Sequence, residues 1–276
     1  SGIRGVTDAL ENHIYNTTQN TEYFLKGLLS EHARLGTSLE VWNGNVESSV
    51  NNTFTLTKEF FDRMHSIKEC DNLEKMIFQL RTFNGEIDRL PTELRGYLQL
   101  KHEILVMGER FILPIINAFY AKRNIATQMR YGAELGVKTD HILDQAPRFT
   151  NEVKMKVDFA AQNAQILIVS GYDALSDQGP VTLGRSGSDK TATFLGMCLK
   201  APVTLFKSTA GIMSADPNIV KNAQFIPEVT YAEAAEAGNI QLAAVQYAQA
   251  GGIILVVRSL DVKSTKVYSK DVQGII

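Results

Sequence analysis

The residues richest in chemistry lie in one short stretch, "VTLGRSGSDKTATFLG", from Val181 to Gly196. Gly184 and Gly187 let the backbone turn tightly and approach a ligand closely. Arg185 offers a planar fork of donors that suits a carboxylate or a phosphate. Ser188 or Asp189 is placed to cap the helix that starts there, and a helix N-terminus favours an anion. Read locally, the turn is either a cradle for a small anion or merely a capped helix start with a surface arginine. The GxxxxGK[ST] and GxGxxG loops are both absent.

The elements that must position this turn differ between the two halves of the chain. Residues 7–130 read mostly as helix. One helical stretch runs from Thr7 through Leu10, Ile14, Leu25 and Leu28, and another covers 55–90. A third, 93–123, is interrupted at Gly108 and Pro114. The Asn-rich segment "WNGNVESSVNNT" reads as a loop, with a helix starting near Thr55 or Thr57. The second half alternates strand and helix. Ile166–Val169 is an apolar run stopping at Gly171, as in a buried parallel strand. A polar loop follows to Gly179. Then come a helix after Asp189, a strand "VTLFK", a turn "GIMSADP", a helix "TYAEAAEAG", a strand "GGIILVVRS" and a short strand "STKVY". Thr230 and Glu233 form a capping box for the later helix. The order predicts an α/β, three-layer sandwich with a mostly parallel central sheet and a helix-rich N-terminal half. Ligands then sit beyond the carboxyl ends of the strands, where the loops after Val169, around "GRSGSDK" and after Phe206 converge.

Five stretches carry a resemblance. "GYDALSDQGPVTLGRSGSD" resembles a pattern G-F-x-G followed by G-x-x-T-T-L-G-R-G-G-S-D. Thr182, Leu183, Gly184, Arg185, Gly187, Ser188 and Asp189 match, and Ser186 replaces one glycine. "GIMSADPNIVKNAQFIPEVTYAEAAE" shares Gly211, Asp216, Pro217, Tyr231 and Glu233 with a second pattern. "GERF" at 108–111, "VKTD" at 137–140 and "SGIRGVTDAL" at the start match further stretches. Together they resemble the aspartate kinase branch of the amino-acid kinase superfamily over nearly the whole chain.

That resemblance implies transfer of the γ-phosphoryl of ATP, with Mg²⁺, to the β-carboxylate of L-aspartate. By it, Glu109 binds the substrate ammonium, Arg185 holds a carboxylate and Ser188 orients it. Asp189 organises the reacting groups and a lysine. Gly171, Gly184, Gly187, Lys207, Ser208, Gly211 and Asp216 border the nucleotide. It further implies an amino-acid side in residues 1–160 and a nucleotide side in 161–276; after "KVYSKDVQGII" no regulatory ACT domain is expected. The departures fall on the nucleotide side. The K-[FY]-G-G-[TS]-S loop is not in this sequence, Ser208 and Ala210 replace two aspartates, and Asn218 replaces an arginine. Lys190 and Lys207 are the nearby cations that remain. Two alternatives follow: a non-catalytic homologue binding a small amino acid or a partner subunit, and a kinase of another carboxylate or carbamate.

Bulk properties set the remaining bounds. The 276 residues are 44% apolar and 21% charged, with a formal net charge of -2. That balance argues against a nucleic-acid or membrane-surface binder, which needs a basic field. Cys70 and Cys198 lie far apart and the five histidines (13, 32, 65, 102, 141) are scattered, so no metal-ligand spacing is present. No apolar run reaches the ~18 residues of a membrane span, and the expected location is cytoplasmic. A homodimer built on the apolar helices of 55–120 competes with plain core packing of the same residues.

Overall fold

The computed structural model describes residues 6–15, 20–68, 92–139, 164–177, 179–184, 186–207, 211–215, 219–238, 240–259 and 264–269, with 153, 156–158 and 162. The first half supplies helices α1 (Val6–Tyr15), α2 (Thr21–Ser38), α3 (Gly44–Lys68), α4 (Thr92–Arg110) and α5 (Leu113–Ala121). These boundaries are set locally. Asn20 accepts a hydrogen bond from the Tyr23 amide at 3.1 Å, which starts α2 afresh and splits the single stretch expected from Thr7 onward. Asn43 accepts from the amides of Asn45 and Val46 at 3.0 and 3.2 Å. The Asn-rich segment is therefore a cap followed by helix, not a loop, and α3 begins eleven residues or more before Thr55. The expected interruption at Gly108 is also absent. α4 runs through it to Arg110, and the glycine admits the start of α1, since a Cβ there would lie 2.5 Å from Thr7 Oγ1. The break falls at Phe111 and Ile112, before Pro114 in the first turn of α5.

The second half, preceded by β1 (Thr127–Tyr131), supplies β2 (Ile166–Ser170), the hairpin β3 (Asp173–Ser176) and β4 (Gly179–Thr182), and α6 (Gly187–Leu199). Then follow β5 (Val203–Phe206), β6 (Ile212–Met213), β7 (Phe225–Ile226) and β8 (Glu228–Thr230). Helices α7 (Tyr231–Ala237) and α8 (Leu242–Gly251) and strands β9 (Leu255–Arg258) and β10 (Ser264–Tyr268) complete it. β1 pairs parallel with β2. A second sheet has the order β5-β9-β10-β8, parallel except for the β9–β10 pair. β1 and the β3–β4 hairpin were not expected from sequence: the first was read as the end of a helical region and the second as a polar loop.

Alternation along β2 makes the layers visible. Ile168 packs against the helical core of α1–α5, while Leu167 and Val169 pack against a core that includes Val181 and Phe194. A strand apolar on both faces is what a sheet covered on both sides requires. The helical core holds Phe61, Met64, Ile104 and Phe111, with the Phe54 and Phe111 rings stacked at 4.4 Å. Trp42, the single tryptophan, lies against Gly36 of α2 and joins this layer. α6 and α8 pack together at Gly251, and α6 meets β5 at Gly196, where a Cβ would stand 2.2 Å from Val203 Cγ2. A third core lies around Leu205, Ala244, Leu255 and Val257. The stretch Leu94–Ala121 is long and apolar enough for a membrane span, contrary to the sequence expectation, and 61% of its apolar window is buried inside the fold.

Candidate functional site

A cleft of about 650 Å³ opens between the helical layer and the start of α6. Thr7, Asp8 and Glu11 of α1 form one wall, and Lys101, His102 and Glu109 of α4 another. Tyr172, Thr182, Gly184 and Ser186 to Ser188 close it from the second half of the chain.

The glycine-rich turn reaches this cleft through its backbone geometry. Gly184 has φ +68° and Ser186 has φ +56°. Ser186 thus occupies a left-handed conformation that costs an L-residue roughly 1 kcal/mol and suits the glycine of the resembling pattern. The helix starts at Gly187 with Ser186 at its cap position and no side-chain cap bond. The expectation that Ser188 or Asp189 caps it is therefore corrected: both lie within the first turn. Gly187 is required by Tyr172, whose Cδ2 would stand 2.6 Å from a Cβ. Gly171 backs onto Ser188, with a Cβ there 2.9 Å from Ser188 Cα. The Tyr172 amide donates to Thr191 Oγ1 at 3.1 Å and its carbonyl accepts from the Leu183 amide at 2.9 Å. The Gly-Tyr turn and the first turns of α6 are thereby one unit.

Of the residues singled out from sequence, Glu109, Gly184, Gly187 and Ser188 line the cleft together. Glu109 is buried. Asp189 forms an ion pair with Lys207, which directly follows β5. Lys190 is buried and donates to the Leu183 carbonyl at 2.8 Å. Gly211, at φ +82°, packs on β10, where a Cβ would lie 2.5 Å from Thr265 Oγ1. Arg185, Ser208 and Asp216 lie outside the described residues. A second cavity, of about 630 Å³ beside Leu113, Met129 and Glu134, contains none of the predicted site residues.

Three cleft residues were missed by sequence reasoning. Thr7 and Asp8 sit within the matched "GVTD", but their side chains had been given no role. His102 was set aside because the histidines are scattered. Its Nδ1 accepts from the Thr182 amide at 3.1 Å and lies 3.0 Å from Thr182 Oγ1, so the neutral ring carries its proton on Nε2. Burial, helped by the nearby Lys101 charge, lowers its pKa to about 4. Burial also raises the Tyr172 phenol, against a hydrogen bond with Thr182 that lowers it.

The cleft lining offers partners for both signs of charge. Asp8, Glu11 and Glu109 are acidic, with Lys101 paired to Glu11 at 3.3 Å. The same cleft is lined by the N-terminal turn of α6, whose dipole favours an anion. Such a site suits a small zwitterion, its ammonium towards the carboxylates and its carboxylate towards the helix.

Residues 83–259 match the family model described as the amino acid kinase family. In sequence the chain is similar to the aspartokinase of Bacillus sp. strain MGA3, 29% identical over 163 residues, which are 56% of this chain and 39% of that protein. It is similar also to aspartokinase 1 of Bacillus subtilis, 35% identical over 133 residues, 47% of this chain and 32% of that protein. The chain thus spans less than half the length of these relatives. In fold it is similar to E. coli aspartokinase III, crystallised with aspartate and ADP in the R-state. That match has a TM-score of 0.70 at 19% identity and covers 98% of this chain and 57% of that one.

Proposed function

The chain belongs to the amino acid kinase family, and on that premise we propose that it moves the γ-phosphoryl group of ATP to the β-carboxylate of L-aspartate. The observation that carries this reading is the single cleft lined both by Glu109 and by Gly184, Gly187 and Ser188. Residues 1–160 act as the amino-acid side and 161–276 as the nucleotide side, with the cleft between their contributions. In the reaction a β-carboxylate oxygen attacks the γ-phosphorus, the bond to the bridging oxygen breaks, and ADP leaves with that electron pair. The product is an acyl phosphate.

Each residue has positioning or charge to supply, since phosphoryl transfer asks the protein for little covalent chemistry. Glu109 holds the ammonium. Arg185 and Ser188 hold the α-carboxylate at the helix N-terminus. Asp189 fixes Lys207, and Lys207 faces the phosphates. Gly171, Gly184 and Gly187 keep the backbone close, and Ser208, Gly211 and Asp216 border the nucleotide. Among the described residues no three His, Cys, Asp or Glu side chains gather as a metal site. Mg²⁺ enters this reading as the ion carried by the nucleotide's phosphates, where it neutralises charge.

A second reading, binding without transfer, is favoured by one observation. Lys190 donates to a carbonyl and Lys207 is paired with Asp189, so both nearby cations already have partners. One assay separates the two. Protein incubated with Mg-ATP, L-aspartate and hydroxylamine yields aspartyl hydroxamate under the first reading. L-Aspartate binding without hydroxamate supports the second. Neither hydroxamate nor any shift in melting temperature with Mg-ATP or L-aspartate overturns both. Turnover with another acid, but not aspartate, moves the acceptor.

A further inference from the structure

Directly behind the cleft lies a buried ion pair for which neither the resemblance nor the proposed reaction supplies a role. Arg110 donates from Nε and Nη2 to a single oxygen of Asp173, Oδ2, at 2.9 and 2.8 Å. Asp173 is 0% exposed and its other oxygen, Oδ1, has no hydrogen-bond partner. Ser170 Oγ donates to Oδ2 at 3.1 Å and itself accepts from the Gly132 amide at 3.2 Å. The Tyr131 ring covers the guanidinium, 4.1 Å from Arg110 Cζ to the ring centroid. Gly132 is packed so closely on this network that a Cβ there would lie 2.2 Å from the Asp173 carbonyl oxygen. Burial pushes the Asp173 carboxyl above its ordinary range, against the pull of Arg110 and Ser170. A charged pair kept in so dry a place is a poor source of stability, because desolvation offsets its attraction.

Its position gives it another use. Arg110 follows Glu109 on the last turn of α4, and neighbouring helical residues point about 100° apart. Holding Arg110 therefore fixes the rotation of that helix end, and with it the direction of the Glu109 carboxylate. Asp173 follows Tyr172, whose backbone is bonded to Thr191 and Leu183 at the start of α6. We infer that Arg110 and Asp173 are positioning residues: their ion pair sets the spacing between Glu109 and the α6 N-terminus, and so the fit of the amino-acid end of the cleft. The inference rests on the proposed amino-acid site, and its test has one readout that does not require turnover.

The informative variants are Arg110→Lys, which keeps the charge but loses the fork, and the double variant Arg110→Met/Asp173→Leu, which removes both charges and keeps apolar volume. The expected result is a KM for L-aspartate raised at least tenfold in both, with the KM for Mg-ATP within twofold of the original. The double variant is expected to melt within a few degrees of the parent. Wild-type KM for L-aspartate in either folded variant overturns the inference, since a pair that only fills space is replaceable. In parallel, a ¹⁵N-glycine spectrum of Arg110→Lys is expected to shift Gly184 and Gly187 across the cleft. Shifts confined to Gly132 and Gly171 overturn the inference. If the parent protein turns over no L-aspartate, the assigned reaction fails and the glycine spectrum still decides the role of the pair.

Discussion

At the scale of single residues, His102 makes the clearest prediction. Its folded-state pKa of about 4 lies below the ordinary value near 6.5. The neutral ring therefore stabilises the fold above pH 6.5, and that stability is lost as the pH falls towards 4. The loss is on the order of 3 kcal/mol across that window. His102→Asn retains an acceptor for the Thr182 amide without titrating, so its denaturant midpoint is expected to fall less steeply between pH 7 and 5 than that of the parent. Ser186 gives a second prediction. At φ +56° a β-branched side chain is strained, so Ser186→Val is expected to cost about 1–3 kcal/mol by urea unfolding. Ser186→Gly is expected to cost nothing, its relief of strain offsetting the entropy that glycine adds to the unfolded chain.

At the scale of elements, close approach and capping dominate. Gly196→Ala drives a methyl into Val203 and is expected to destabilise by about 1–3 kcal/mol in thermal melts, as overpacking does. Thr230→Ala removes the acceptor for the Glu233 amide and is expected to cost about 1 kcal/mol. What was legible in the sequence follows the same division. The capping box at Thr230 and Glu233, the helix after the glycine-rich turn and the apolar strands at 166–170 and 255–258 were readable because caps and apolar runs are local signals. β1 was not, because "TQMRY" has little apolar content and becomes a strand through pairing with β2. The hairpin β3–β4 was hidden for a similar reason, its Asp173 being a buried charge that makes sense only beside Arg110. In the cleft, Glu109 and Ser188 were legible through motif spacing. His102 was not, since its partner Thr182 is eighty positions away. The capping of α6 was misread because Ser and Asp are good caps by type, whereas here the left-handed Ser186 takes that position.

At the scale of the whole molecule, the cleft is assembled from both halves, so occupancy couples to global stability. A ligand at one hundred times its Kd is expected to add about 2.7 kcal/mol to unfolding. Under the proposed function, L-aspartate at that concentration raises the melting temperature, and D-aspartate raises it less. Equal shifts for both enantiomers count against a built amino-acid site. The core around Leu94, Leu98, Leu135, Val181 and Phe194 also draws on both halves, which predicts a single cooperative transition.

The packing of Trp42 against Gly36 has a practical corollary. As the single indole, it makes intrinsic fluorescence a reporter stationed wholly in the helical layer. Its emission registers the loosening of α2 and α3, while far-ultraviolet ellipticity registers every helix at once. Superimposable melting curves from the two signals mark one folding unit. An indole signal that departs early assigns the first loss of order to the packing of α2 and α3 around Trp42 rather than to the helices as a whole.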